Sequence, residues 1–250
     1  MIRIVDLHKS FEKNKVLDGV TIDIPDSDSL VIVGRSGIGK SVLLKCVTRL
    51  LKPDSGHVYI DDEDITVARR EDLLRIRRKI GLLLQEGALF DSLDVFDNVA
   101  FPLWYHRLCP RAEIEEKVRR YLEIVEMPEF IHAYPDELSG GMKRKVALAR
   151  AMILEPKYLL YDEPTTGLDP TSAGIVESMM MKLRREMKIT SLIVTHDVDL
   201  THYIGERVAL LDGGKLVAVQ SRDQAFETQS PIYEYFIHNR ERVHNNHGSH

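Results

Sequence analysis

The 250-residue sequence has two cysteines, one tryptophan and no apolar run approaching the ~20 residues of a membrane span. Cys46 and Cys109 stand far apart, one in an apolar stretch and one beside Pro110, which excludes metal-ligand spacing and a disulfide framework and leaves two reduced thiols. Met1 leads straight into a strand-like stretch, so no secretory leader is expected, and membrane association is expected only through a partner. A basic excess is also missing. The net charge is -5, so nonspecific nucleic-acid binding is not the default. Apolar residues, at 44%, are plentiful enough for one large domain or a core with a subdomain.

Residues 2–7 and 20–24 alternate apolar and polar around a polar turn and read as an antiparallel pair. Phe11, at the end of the first, is an edge aromatic or a face on which a base can stack. Leu30-Val31-Ile32-Val33 reads as a strand buried on both faces. It runs into Gly34-Arg35-Ser36-Gly37-Ile38-Gly39-Lys40-Ser41 and then an apolar helix opening at Val42, the strand–loop–helix setting of a phosphate-binding loop. There glycines let the backbone wrap phosphates, Lys40 reaches the β- and γ-phosphates, and Ser41 holds Mg²⁺. The acidic Asp61-Asp62-Glu63-Asp64 lacks the pattern of a calcium loop and reads as a solvated turn. Residues 80–84 form another buried strand, placing Gln85 at a strand end where it can contact metal and water.

From residue 86 to 137 the pattern turns helical, an inserted subdomain whose Ile114, Val118, Tyr121, Leu122 and Val125 are core. Ala88-Leu89-Phe90, on a loop just after Gln85, is a candidate docking element. Leu138-Ser139-Gly140-Gly141-Met142 starts the next helix with bare backbone N–H groups suited to a phosphate. Lys143, Arg144 and Lys145 then put positive charge at the positive end of the helix dipole, a conflict that a bound anion would resolve. Tyr158-Leu159-Leu160-Tyr161 is a strand ending in Asp162-Glu163, where Asp162 orders the metal shell and Glu163 polarises water. Strand alternation makes this pair point oppositely. Asp169 is placed to cap or bridge, the methionines after it read as core filler, and His196 ends a further buried strand within reach of a γ-phosphate. Asp212-Gly213-Gly214 signals a hairpin, and the His-rich end from His244 to His250 reads as a disordered terminus.

In this order the motifs resemble those of the nucleotide-binding subunit of ABC transporters. The resemblance implies an α/β fold: a P-loop NTPase, RecA-like core with an N-terminal antiparallel β subdomain (1–85 and 138–220), a helical subdomain (86–137) and a C-terminal helix and tail (221–250). It implies an ATPase using ATP and Mg²⁺. Phe11 becomes the adenine-stacking aromatic, and Gly34, Arg35, Ser36, Gly37, Ile38, Gly39, Lys40, Ser41 and Val42 the phosphate loop and its helix start. Gln85 becomes the Q-loop glutamine, and Ser139, Gly140 and Gly141 the signature closing on a second copy's ATP. Asp162, Glu163, Asp169 and His196 become the metal aspartate, catalytic glutamate, D-loop aspartate and switch histidine. Met142, Lys145 and Phe11 depart from the commoner Gln, Arg and Tyr without removing a required group.

More narrowly, residues 85–91 and 95–103 resemble the ATPase of MCE-associated, Mla-type lipid transport systems. That implies a homodimer beneath a permease contacted through Ala88, Leu89, Phe90 and Asp91, at the cytoplasmic face of the inner membrane. A periplasmic MCE-domain protein and, in some members, a STAS-domain protein would complete the assembly, with no nucleic acid. The alternatives are the ATPase of a small-solute importer, for example of amino acids, and a soluble ATPase of the iron–sulfur cluster assembly type.

Overall fold

The computed structural model describes the backbone of residues 1–246 and the side chains through His238. Strands β1 (Ile2–Phe11) and β2 (Asn14–Ile24) form the expected antiparallel pair, followed by β3 (Ser29–Val33) and α1 (Lys40–Val47). Next come β4 (Ser55–Ile60), the short β5 (Glu63–Asp64), α2 (Arg70–Arg77) and β6 (Ile80–Leu83). Helices α3 (Val95–His106), α4 (Arg111–Ile124) and α5 (Gly140–Met152) follow without an intervening strand. The chain then alternates through β7 (Tyr158–Asp162), α6 (Pro170–Met187), β8 (Thr190–Thr195), α7 (Val198–Ile204), β9 (Arg207–Asp212) and β10 (Lys215–Ser221). It closes with α8 (Arg222–Ala225) and α9 (Pro231–Asn246). The remainder of the His-rich tail and all its side chains lie outside the described residues.

Two sheets result. One is antiparallel, in the order β2-β1-β4-β5, and the other has the order β10-β9-β3-β8-β7-β6. In the second sheet β9, β3, β8, β7 and β6 run parallel, and only β10 is antiparallel to its neighbour. The apolar runs that read as doubly buried strands divide their residues between two cores, as a period of two demands. Leu30, Ile32, Leu160, Leu192 and Val194 pack with α1 and the antiparallel sheet. Val31, Val33, Leu159, Tyr161 and Ile193 face the other way, onto the core that includes residues of α3 to α7. Parallel strands put all their carboxyl ends on one edge, so Val33, Leu83, Asp162 and Thr195 deliver the residues that follow them to one place.

The acidic turn at residues 61–64 is not merely solvated. Asp61 Oδ1 lies 2.6 Å from Lys157 Nζ and its Oδ2 3.1 Å from Lys79, and Glu63 pairs with Arg75 and Lys79. Burial alone would raise the Asp61 pKa. Hydrogen bonds from Lys157, Tyr158 and Lys79 outweigh it and hold the carboxyl below its usual range. Charge counting along the sequence missed this because the lysines arrive from the entry to β6 and the entry to β7.

Candidate active site

The loop between β3 and α1 is shaped by its glycines. Gly37 and Gly39 have φ of 78° and 117°, and a Cβ on Gly39 would sit 2.7 Å from the Val16 side chain. A Cβ on Gly34 would meet the Leu211 carbonyl oxygen at 2.7 Å. Gly39 caps α1 without a side-chain bond, and no acidic residue sits in the first turn. The leading N–H groups of this helix are therefore available to an anion.

A cavity of about 240 Å³ opens over this loop, lined by Ser36, Gly37, Gly39, Lys40, Ser41, Val42, Gln85, Glu163, Thr166 and His196. Lys40 is 5% exposed. Its Nζ donates to Gly34 O at 2.8 Å and Arg35 O at 3.1 Å, and lies 3.1 Å from Glu163 Oε1. The other carboxylate oxygen, Oε2, lies 2.9 Å from His196 Nδ1 and accepts from the Thr166 and Thr195 hydroxyls at 3.1 and 3.2 Å. Burial alone would push the Glu163 pKa up, but the His196 hydrogen bond and the Lys40 charge outweigh it and hold the carboxyl at about 2. The same bond raises the pKa of His196.

Asp162 takes the opposite course. Burial raises its pKa, and the hydroxyl of Ser41, donating to Oδ1 at 2.6 Å, only partly opposes the shift. Its separation from Glu163 does not come from strand alternation, as expected from the sequence. β7 ends at Asp162, and Glu163 sits beyond it with φ of 48°. Glu163 N still donates to Val194 O at 2.9 Å, so the chain turns into the left-handed region while anchored to β8. That conformation is costly for a glutamate and is held by the surrounding bonds.

The basic turn of α5 also departs from expectation. Arg144 is buried and donates to Leu84 O at 3.0 Å and Thr166 O at 3.1 Å, while Lys145 Nζ lies 3.5 Å from Glu126. The chain's own carbonyls and a carboxylate answer these two charges, while Lys143 lines the cleft that Gly140 borders. Ser139 caps α5 by accepting from Met142 N at 3.3 Å, and Asp169 caps α6 by accepting from Ser172 N at 3.0 Å.

Ser139, Gly140, Gly141 and Asp169 do not line the phosphate-loop cavity. Gly140 borders a neighbouring cleft of about 500 Å³ that shares Gln85 and Thr166 with it. Gly141 closes against α6, where a Cβ would lie 2.9 Å from Ser172. Phe11 is 46% exposed at the hairpin tip, outside the cavity, with Lys9 Nζ 5.6 Å from its ring centre. Ile38 is partly buried against the core next to α1.

Reading the sequence missed Thr166 and Thr195 around the site, and Asn98 and Arg150 beside it, and marked Arg144 by its charge without its two carbonyl acceptors. Asn98 is fully buried. Its amide donates to Phe90 O, Leu93 O and Asp94 O and accepts from Phe90 N at 2.8 Å. Arg150 donates to Gly87 O at 2.7 Å. The segment carrying residues 88–91 is thus pinned from beneath. Only the position of the two threonines beside Glu163 and His196 offered a sequence signal for any of these.

The donor set suits Mg²⁺. Ser41 hydroxyl, Asp162 carboxylate and Gln85 amide oxygen are hard ligands, and the hydroxyl and carboxylate already meet. Among the described residues no group of three or more His, Cys, Asp or Glu is assembled to hold a metal. This fits an ion that keeps waters and takes substrate phosphates instead of an all-protein cage.

Comparison with known proteins agrees with this fold. The ABC transporter family model matches residues 17–166. The chain is 38% identical over 242 residues to "Methionine import ATP-binding protein MetN" of Francisella tularensis subsp. holarctica (strain OSU18), covering 95% of this chain and 69% of that one. It is 36% identical over 239 residues to "Probable ribonucleotide transport ATP-binding protein mkl" of Mycobacterium leprae (strain TN), covering 96% and 69%. The dimeric post-hydrolysis structure of the ATP-binding cassette MJ0796 bound to ADP and Pi superimposes with a TM-score of 0.82 at 30% identity, covering 89% of this chain and 99% of that one. With this fold and these matches, the chain belongs to the ABC transporter family, as its ATP-binding and ATP-hydrolysing component.

Proposed function

We propose that two copies of this chain meet head to tail and hydrolyse ATP at two shared sites to drive a membrane permease. The observation that carries the reading is Glu163 held between Lys40 and His196 beside the Ser41–Asp162 pair. A carboxylate at about 2 is too weak a base to activate water at neutral pH. Phosphate oxygens entering the cavity compete with Glu163 for Lys40 and His196. Freed of both cations, the buried carboxylate regains basicity and takes a proton from the attacking water. Lys40 and His196 then hold the charge that develops on the γ-phosphate. Ser41, Asp162 and Gln85 would hold Mg²⁺, which would offset negative charge on the phosphates. Ser139, Gly140 and Gly141 of the second copy close over the phosphates, with Phe11 stacking on the base and Asp169 at the dimer seam. Closure excludes water and completes the clamp.

The permease docks at residues 88–91. Phe90 is exposed there with its ring 4.8 Å from that of Phe101, and Trp104, Tyr105 and Leu108 are further exposed apolar residues on and just after α3. No helix among the described residues is long and apolar enough to cross a membrane. We infer that the cargo is phospholipid and that an MCE-domain protein completes the assembly at the inner membrane. The resemblance of residues 85–91 and 95–103 to Mla-type ATPases supports it. A second reading, import of a small solute such as an amino acid, is favoured by the methionine-import relatives. Affinity purification of the full chain from membranes separates them. Recovery of a permease with an MCE protein supports lipid transport, and recovery with a solute-binding protein supports import. Recovery of soluble scaffold proteins alone rejects both.

A further inference from the structure

One arginine in the structure ties together groups on two sides of the cavity without lining it. Arg144, in the second turn of α5, is 4% exposed and enters no salt bridge among the described residues. Its Nη1 donates to Leu84 O, the carbonyl just before Gln85. Its Nη2 donates to Thr166 O, and the hydroxyl of that same Thr166 donates to Glu163 Oε2 at 3.1 Å. Burial lowers the pKa of the guanidinium, a cost that an apolar side chain filling the same space would not carry. A planar fork with two fixed donors does what such a side chain cannot: it sets the spacing of two carbonyls. The loop on the Leu84 side is also seated on α5. Arg150 donates to Gly87 O at 2.7 Å, and a Cβ on Gly87 would lie 3.3 Å from Ala147 and from Lys143 O. Residues 84–87 therefore travel with this helix.

We propose that Arg144 is a positioning residue that couples the two ATP sites of the dimer: movement of α5, when its Ser139–Gly141 end closes on the partner's phosphate, is delivered through Arg144 to Gln85 and Glu163 of its own site. This rests on the head-to-tail dimer proposed above. The helix that reads one site in trans is fastened by one side chain to the metal-contact loop and the water-activating carboxylate of the other. Closure at one site then orders the second, which makes hydrolysis cooperative in ATP.

The test is steady-state hydrolysis against ATP concentration for the full-length wild-type chain, Arg144→Gln, Arg144→Lys and Ser139→Arg, with fluorescent-nucleotide titration and thermal melts of each. Arg144→Gln is expected to keep nucleotide affinity within about twofold. Its kcat should fall about 10²-fold, the cost of a small misplacement. Its Hill coefficient should fall from about 2 to about 1. Arg144→Lys is expected to recover melting temperature but not kcat, because a single point donor cannot span both carbonyls. Wild-type kcat and cooperativity in Arg144→Gln overturn the proposal. So does full recovery of kcat by Arg144→Lys, or a parallel loss of affinity and melting temperature in both variants, which marks a merely structural role. If Ser139→Arg hydrolyses at the wild-type rate, the dimer reading fails and this one with it. If Ser139→Arg is inactive while Arg144→Gln stays cooperative, only the coupling role falls.

Discussion

Replacing Glu163 with Gln removes one charge and almost no volume, and the structure states what each neighbour gains. In the wild type the carboxylate sits 3.1 Å from Lys40 Nζ and 2.9 Å from His196 Nδ1. Its fall from the ordinary 4.5 to about 2 corresponds to about 3 kcal/mol in favour of the ionised form. Phosphates must displace that attraction to take Lys40 and His196, so its removal returns on the order of 3 kcal/mol to nucleotide binding. That corresponds to a Kd tighter by about a hundredfold. Hydrolysis loses its base and falls by about 10² to 10⁴. Phosphate release at saturating Mg-ATP measures the second effect, and equilibrium titration with a fluorescent nucleotide measures the first. Turnover within about threefold of wild type would refute the assignment of Glu163 as base. Binding weaker by about tenfold or more would refute the competition for Lys40. The same shift carries a stability signature. A depressed carboxylate pKa stabilises the fold above its unfolded value and loses that contribution as pH falls through the folded one. The nucleotide-free wild type should therefore lose this increment between about pH 4.5 and 2, and the Gln variant should not.

Three further outcomes are expected. Ser139→Arg should spare nucleotide binding to the monomer and abolish ATP-driven dimer closure in size-exclusion chromatography. Outright loss of ATP affinity in the monomer would return the signature stretch to its own chain's site. The raised pKa of His196 stabilises the fold below its unfolded value of 6.5 and is lost as pH rises through the folded value. Denaturant melts of the nucleotide-free chain from pH 6 to 9 should show that decline in the wild type and a flatter profile in His196→Ala. Asn98→Ala strands partly buried backbone carbonyls and the Phe90 N–H, so it should cost about 1 to 3 kcal/mol in a denaturant melt and weaken permease recovery from membranes. Unchanged stability would show that the 88–91 segment does not depend on it.

Much of this protein could be read directly from residue order. Glycines at 34, 37 and 39 between a doubly apolar strand and an apolar helix already specify a phosphate loop, because backbone freedom and helix start are local properties. Strand runs ending at Gln85, Asp162 and His196 likewise announced polar groups at a sheet edge. Local pattern could not say which of these groups touch. Lys40 meets Glu163 because β3, β8 and β7 are neighbours in the sheet, and strand order is not encoded in any window of the sequence. The left-handed turn at Glu163 replaced a strand alternation that looked secure, since the anchoring bond to Val194 comes from another strand. Arg144 looked like an unpaired surface charge awaiting an anion. Its two acceptors lie 60 and 22 positions away, so only the folded chain could convert it from a dipole conflict into a buried clamp. Residue types and short spacings determined the chemistry that this chain carries. Tertiary packing alone decided which charges are spent on one another before any nucleotide arrives, because an ion pair or a buried hydrogen bond depends on separation in space and not along the chain.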